Sequence, residues 1–254
     1  MAWQPQALQG PRFAAIADLA ARFPAGRLPT VAELDHGLRD LLAPAGISLV
    51  ESRPAPQRRR RQDRGRADKP SAGAVASHRS PLDIYEIRCA ETGQVPCRPD
   101  NFHDVWNALS WAAFPRAKWQ LTRRIAALQQ RALASGQGLP RARDREHDRL
   151  ALLDEGGVLE LDCADGALAV VVGHALWQHA ALASGQIRAA KVCLPAPSGM
   201  RRSCASLGEV RAAIDGAWTE LVATPQRLHD AMAGRAGVLV DDDELWSAPR
   251  APAA

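Results

Sequence analysis

Tyrosine occurs once among the 254 residues and phenylalanine four times, and aromatics make up only 5% of the chain. Residues that favour sheets are therefore scarce, which disfavours an all-β fold. The five cysteines (Cys89, Cys97, Cys163, Cys193, Cys204) include no C-x-x-C pair, so neither a disulfide framework nor a zinc knuckle is indicated, and reduced thiols are expected. No stretch approaches the ~18 uninterrupted apolar residues of a membrane span. Met1 to Gly10 has neither a basic n-region nor an apolar h-region, so no membrane association and a cytoplasmic location are expected. Nucleotide-binding loops and dinucleotide fingerprints are absent as well, which argues against NTP and nicotinamide chemistry. Glycine (19) and proline (18) recur without a period, which excludes collagen-like and low-complexity classes. Lysine is rare too: only Lys69, Lys118 and Lys191 accompany 29 arginines, a ratio that codon bias produces as readily as phosphate recognition does.

What is present is 46% hydrophobic and 24% charged residues, with alanine about a fifth of the chain, a globular composition that leans towards helix. The net charge of +4 is unevenly spread. Nine basic residues between Arg53 and Ser80, against Asp63 and Asp68, give that stretch +7 and leave the rest at −3. With almost no large apolar side chain, residues 53–80 read as a disordered basic linker, the alternative being an arm that binds nucleic acid.

Along the chain, Phe13, Ile16, Leu19, Ala20 and Phe23 predict an amphipathic helix over Pro11–Phe23. A second follows from a Thr30–Glu33 capping box, with Val31, Leu34, Leu38, Leu41 and Leu42 on its apolar face and Pro44 and Gly46 at its end. Ile47–Val50 predicts a strand, and imperfect alternation from Asp83 to Cys89 predicts another. Pro115 opens the longest helix, with Leu121, Ile125, Leu128 and Ala132 as its stripe and Gly136 and Gly138 at its end. Leu150–Leu153 and Val158–Leu161, flanking Asp154-Glu-Gly-Gly157, read as a hairpin. A buried strand at Ala167–Val172, a helix from His174 to about Ser184, a strand at Ile187–Leu194 and a helix at Glu209–Val222 complete the pattern. The expectation is a mainly helical α+β fold with a small sheet that includes a hairpin. It is read as a single domain: an N-terminal helical segment (1–52), the linker (53–80), the main part (81–246) and a flexible tail (247–254).

Chemistry concentrates between Tyr85 and Gln120. Asp100 or Asn101 caps a helix whose first turn holds His103 and Asp104. At 100° per residue, Val105, Leu109 and Ala112 share one face while His103, Asn107, Ser110 and Phe114 share the other, flanked by Trp106 and Trp111. With Arg98, Arg116 and Lys118 close in sequence, this stripe reads as a pocket for a small anionic ligand. The plainer reading is a packing network, with Asp104 compensating the helix dipole and the tryptophans in the core. Cys97 beside Arg98 reads as an ordinary small residue, having no His or Asp assigned to activate it. His174 opens its own helix, and Asp154 with Glu155 ends the first hairpin strand. Two histidines and a carboxylate from three separate segments, the third being Asp154-Glu155, form a common set for a divalent metal, and the hydrolase reading takes His103, Asp104 and His174 as its ligands, although no local spacing such as H-E-x-x-H supports either.

The stretch Tyr85-Glu-Ile-Arg88, Gly93-x-x-Pro96-x-Arg98 and His103-Asp104-x-x-Asn107-Ala-Leu-x-Trp111-x-x-Phe114-Pro115-Arg116-x-Lys118 resembles the signature of a bacterial family of uncharacterised proteins, domain of unknown function 3025. Leu150-Ala-Leu-Leu-Asp154-Glu155-Gly156 and Gly173-His174-Ala-Leu176 are similar to later segments of that family. The resemblance departs at Cys97 and Ala117, where the family pattern has hydroxyl residues, and it implies no activity. Two functions remain open from the sequence: a cytosolic protein that binds a small anionic ligand, and a metal-dependent hydrolase acting on a phosphoester, either a phosphodiesterase or a nuclease.

Overall fold

Nine α-helices and six strands alternate irregularly along residues 2–52, 80–135, 145–182, 186–233 and 237–247, which are those described by the computed structural model. The protein is thus α+β and mainly helical. The linker up to residue 79, the glycines expected to end the long helix and the tail beyond Ser247 lie outside the described residues. No helix among the described residues is long and apolar enough to cross a membrane.

The helix expected over Pro11–Phe23 is interrupted. Pro11–Phe13 is a 3-10 turn, and α1 spans only Ala17–Ala20, because Ile16 leaves the helical region at φ −135°, ψ −7°. The apolar spacing still marks burial: Phe13, Ile16, Leu19, Ala20 and Phe23 are all in the core. Helix α2 (Val31–Leu42) forms as its capping box implies, with Thr30 Oγ1 accepting from Glu33 N–H and Glu33 Oε2 accepting from Thr30 N–H at 2.7 Å. It leads into β1 (Ser48–Glu51), which pairs in parallel with β2 (Gln94–Cys97).

The strand expected at Asp83–Cys89 is instead a helix, α3 (Tyr85–Thr92). The overlooked signals are Glu86 in its first turn and Gly93 just past its end. Gly93 takes φ 70° and donates its N–H to Cys89 O, which ends the helix and starts β2.

Helices α4 (Phe102–Ala113) and α5 (Pro115–Ala134) follow with one residue between them. Asn101 caps α4 through Asp104 N–H. The first turn of α5 has no local side-chain cap. Buried Asp215 of α8 (Leu207–Ala223) takes that role, accepting from Ala117 N–H at 2.8 Å and Arg116 N–H at 3.3 Å.

A second correction concerns the hairpin. Leu150–Leu153 lies in a helix, α6 (Arg145–Gly156), where Leu150 and Leu153 are buried three residues apart. The hairpin comes one element later, between β3 (Gly157–Cys163) and β4 (Gly166–Val171). Helix α7 (His174–Ala180) connects β4 to β5 (Ile187–Pro195). After α8 come α9 (Pro225–Met232) and β6 (Val238–Val240), and the sheet order is β4-β3-β5-β6 with β3 and β5 parallel. One contiguous cluster of buried side chains runs from Trp3 to Trp246, with α4 packed against both α2 and α7.

Candidate metal centre

Three helix ends meet at one point. His103 comes from the first turn of α4, His174 is the first residue of α7, and Asp154 and Glu155 close the last turn of α6. Two glycines allow the approach. A Cβ on Gly173 would lie 2.5 Å from both Glu155 O and Gly157 N, so only glycine lets the β4–α7 connection cross the α6–β3 junction this closely. Gly173 N–H and Val172 N–H both donate to Gly157 O at 3.0 Å, fixing His174 against Asp154.

His174 is buried, and its Nδ1 lies 2.9 Å from Asp154 O. A carbonyl only accepts, so Nδ1 carries the proton and Nε2 presents its lone pair. Burial pushes the His174 pKa down to about 4, with Lys118 adding to the effect and Asp154 opposing it, so the ring is neutral near pH 7. That lone pair faces His103 Nε2 at 3.2 Å, with Glu155 Oε2 at 3.6 Å. Ligand atoms of His103, Glu155 and His174 all lie within 4.8 Å of one another, a grouping suited to a metal ion. Two nitrogens bound at 2.0–2.1 Å around a tetrahedral ion stand about 3.3–3.4 Å apart, close to the separation here. Glu155 supplies its carboxylate from the exposed side.

Behind these three side chains runs a buried polar chain. Lys118, only 1% exposed, donates from Nζ to Asp154 Oδ1 and to Asn107 Oδ1 at 2.9 Å, with its ammonium 5.5 Å from the centre of the Trp111 ring. Asn107 Nδ2 and Trp111 Nε1 donate to the Tyr85 hydroxyl. Burial would raise the Asp154 carboxyl, but the Lys118 ammonium and His174 outweigh it and hold the pKa below the ordinary value. The Asp154 carboxylate thus stays ionised and satisfied, as a buried charge requires.

The expected stripe is only partly assembled. His103 and Asn107 are half-buried and belong to the cluster, whereas Ser110 and Phe114 are fully buried. Helix α4 is covered on both sides, so it has no open polar face below Asn107. Asp104 stands apart from the histidines, since Arg98 occupies both its oxygens through Nε (2.9 Å) and a terminal nitrogen (2.8 Å) and through its own backbone N–H. Arg98 is thereby committed to Asp104. Arg116 is exposed, with its backbone held by Asp215. Trp111 and Lys118 do reach the cluster, as part of its support. The Cys97 thiol is buried, and burial pushes it up to about 12, far from a nucleophile's range. The sequence offered the Asp154-Glu155 segment as the third to converge on the histidines but named Asp104 as the hydrolase's carboxylate ligand, and it left Tyr85 in a strand. The signal for Glu155 was the Asp154-Glu155-Gly-Gly157 run, taken for a turn.

The molecule is therefore a mainly helical α+β protein with a two-histidine, one-glutamate cluster where α4, α6 and α7 meet. Residues 74–194 match the family described as "Protein of unknown function (DUF3025)", the family that the sequence signature resembles, and the matched segment contains every residue of the cluster. Comparisons with curated proteins and with solved structures returned no match.

Proposed function

We propose that the protein is a divalent-metal-dependent hydrolase whose ion is held by His103, Glu155 and His174. The observation that carries the reading is the 3.2 Å between His103 Nε2 and His174 Nε2, given that the proton of His174 sits on Nδ1. With the His103 proton on Nδ1, the two Nε2 lone pairs face each other, and a cation between them removes the repulsion. Three protein ligands leave a position for water, and a zinc-class ion lowers the pKa of that water to near 7, supplying hydroxide to attack a carbonyl or phosphoryl centre. The chain's own residues orient the ligands. Asp154 O fixes the His174 tautomer, and Lys118 fixes Asp154, in the manner of outer-sphere partners that usually tune a metal site.

The anionic-ligand reading has less support, because Arg98 is spent on Asp104 and the Lys118 charge is matched by Asp154. For the same reason a phosphoester is not singled out among hydrolysable groups. The lack of any C-x-x-C pair among the five cysteines supports a reducing compartment, the cytoplasm.

The test is metal analysis of protein purified without an affinity tag. One zinc, iron or manganese ion per chain is expected, lost in His103→Ala and His174→Ala and retained in His179→Ala, which alters an exposed histidine of α7. A wild-type protein that holds no stoichiometric metal, even after incubation with zinc, overturns the reading.

A further inference from the structure

Between the N-terminal segment and helices α4 and α7 lies a cavity of about 420 Å³, within the usual range for small-molecule sites. Its walls come from the N-terminal segment and from the seam between α4 and α7, and they include Trp3, Leu8, Phe102, Trp106, Gln178 and Ala181. Among the described residues, no charged side chain lines it.

The cavity and the candidate centre share the same two helices. On α4, Trp106 stands three residues from His103, and on α7, Gln178 stands four residues from His174. Residues three and four apart on a helix are neighbours, with Cβ atoms about 5–6 Å apart. Each histidine thus has a cavity-lining residue one turn away, and α4 packs directly on α7. A molecule whose polar head sat on an ion at His103 and His174 would find this uncharged recess within a helical turn.

We propose that the cavity receives an apolar chain of the substrate, whose hydrolysable head reaches the His103–Glu155–His174 centre. The substrate class is then an ester or amide with an aliphatic or aromatic tail. An uncharged lining disfavours a phosphate-rich or otherwise charged tail, since burying a charge without a partner is costly. This inference rests on the metal reading for the head group alone; the cavity half stands on its own lining.

The experiment compares acetohydroxamic acid with octanohydroxamic acid, two metal-binding heads that differ only in chain length, titrated by calorimetry into zinc-loaded and metal-free protein. Each buried methylene is worth up to about fourfold in affinity, and the long probe is expected to bind the zinc-loaded form at least 50-fold more tightly than the short one. The metal-free form should keep the preference for the longer chain at lower overall affinity. Ala181→Trp, which fills the cavity from an exposed position, should abolish that preference, while Leu239→Ser on β6 should not. Equal binding of both probes in both forms overturns the cavity proposal. A chain preference with no gain from zinc, in protein shown to hold zinc, overturns the link between cavity and centre. Failure to load zinc at all overturns the metal reading and the head-group half with it, and leaves the chain preference of the metal-free form to decide the cavity.

Discussion

His174 Nε2 faces His103 Nε2 at 3.2 Å, but the two rings are held very differently: His174 is 2% exposed with its Nδ1 on a backbone carbonyl, and His103 is half-buried at a helix start. One ring is built into the fold, and the other is set against it. That difference makes their substitutions separable.

His103→Ala should therefore change stability little, whereas Leu109→Ala on the same helix, fully buried, should cost ~2–5 kcal/mol. Urea unfolding of the two variants in chelator checks this. Equal losses would place His103 in a structural network rather than at a site.

Lys118→Met should be among the most damaging single changes, at about 3–5 kcal/mol, because it strands the Asp154 charge beneath the centre. A double variant, Lys118→Met with Asp154→Leu, should lose less than the sum of the two single changes. Additive losses in a double-mutant cycle would show that the pair is not coupled.

Gly173→Ala puts a Cβ 2.5 Å from Glu155 O and Gly157 N, and since both neighbours are backbone, the chain itself must move. The expected result is a clear drop in melting temperature together with loss of bound metal, because His174 is the next residue. Normal metal content in a folded Gly173→Ala protein would show that this crossing does not position the histidine.

Acidification of the metal-free protein should destabilise it through His174. Its pKa is about 4 in the folded state and about 6.5 in the unfolded chain. The unfolded state therefore binds more protons between those values, and stability falls as pH drops from about 6.5 to about 4, by a total on the order of 3 kcal/mol. His174→Gln should flatten that segment of the stability profile, and an unchanged profile would assign the acid sensitivity elsewhere.

Thiol labelling should divide four of the five cysteines into two pairs. Cys193 and Cys204 are exposed, while Cys89 and Cys97 are buried with their thiols pushed up to about 12 by burial. Iodoacetamide at pH 8 should modify the first pair in the native protein and the second only after unfolding, as peptide mass mapping would read out.

Local chemistry was legible where the signal is local. The Thr30–Glu33 capping box, Asn101 as the start of α4, Pro115 as the start of α5 and the apolar run of β4 each depend on residues within a turn or a strand of one another, and each element formed where its residues implied. The misassigned segments, α3 and α6, are short runs whose apolar residues fit either period. There the deciding residues were Gly93 beyond the end of α3 and the pairing of β3 with both β4 and β5, which draws the strand boundary at Gly157. The site divides in the same way. His103, Asn107, Lys118 and His174 were all named from the sequence, yet their joining depends on two glycines at a chain crossing and on a lysine that reaches from α5 to α6 across 36 positions. Which carboxylate stands near the histidines depends on distance in space: Arg98, six residues before Asp104, captures that carboxylate, and Glu155, 52 residues after His103, comes within 3.6 Å of His174 Nε2. Sequence spacing ranks such partners by proximity along the chain, whereas charge and hydrogen bonding act on distance in space, which only the packing of α4, α6 and α7 sets.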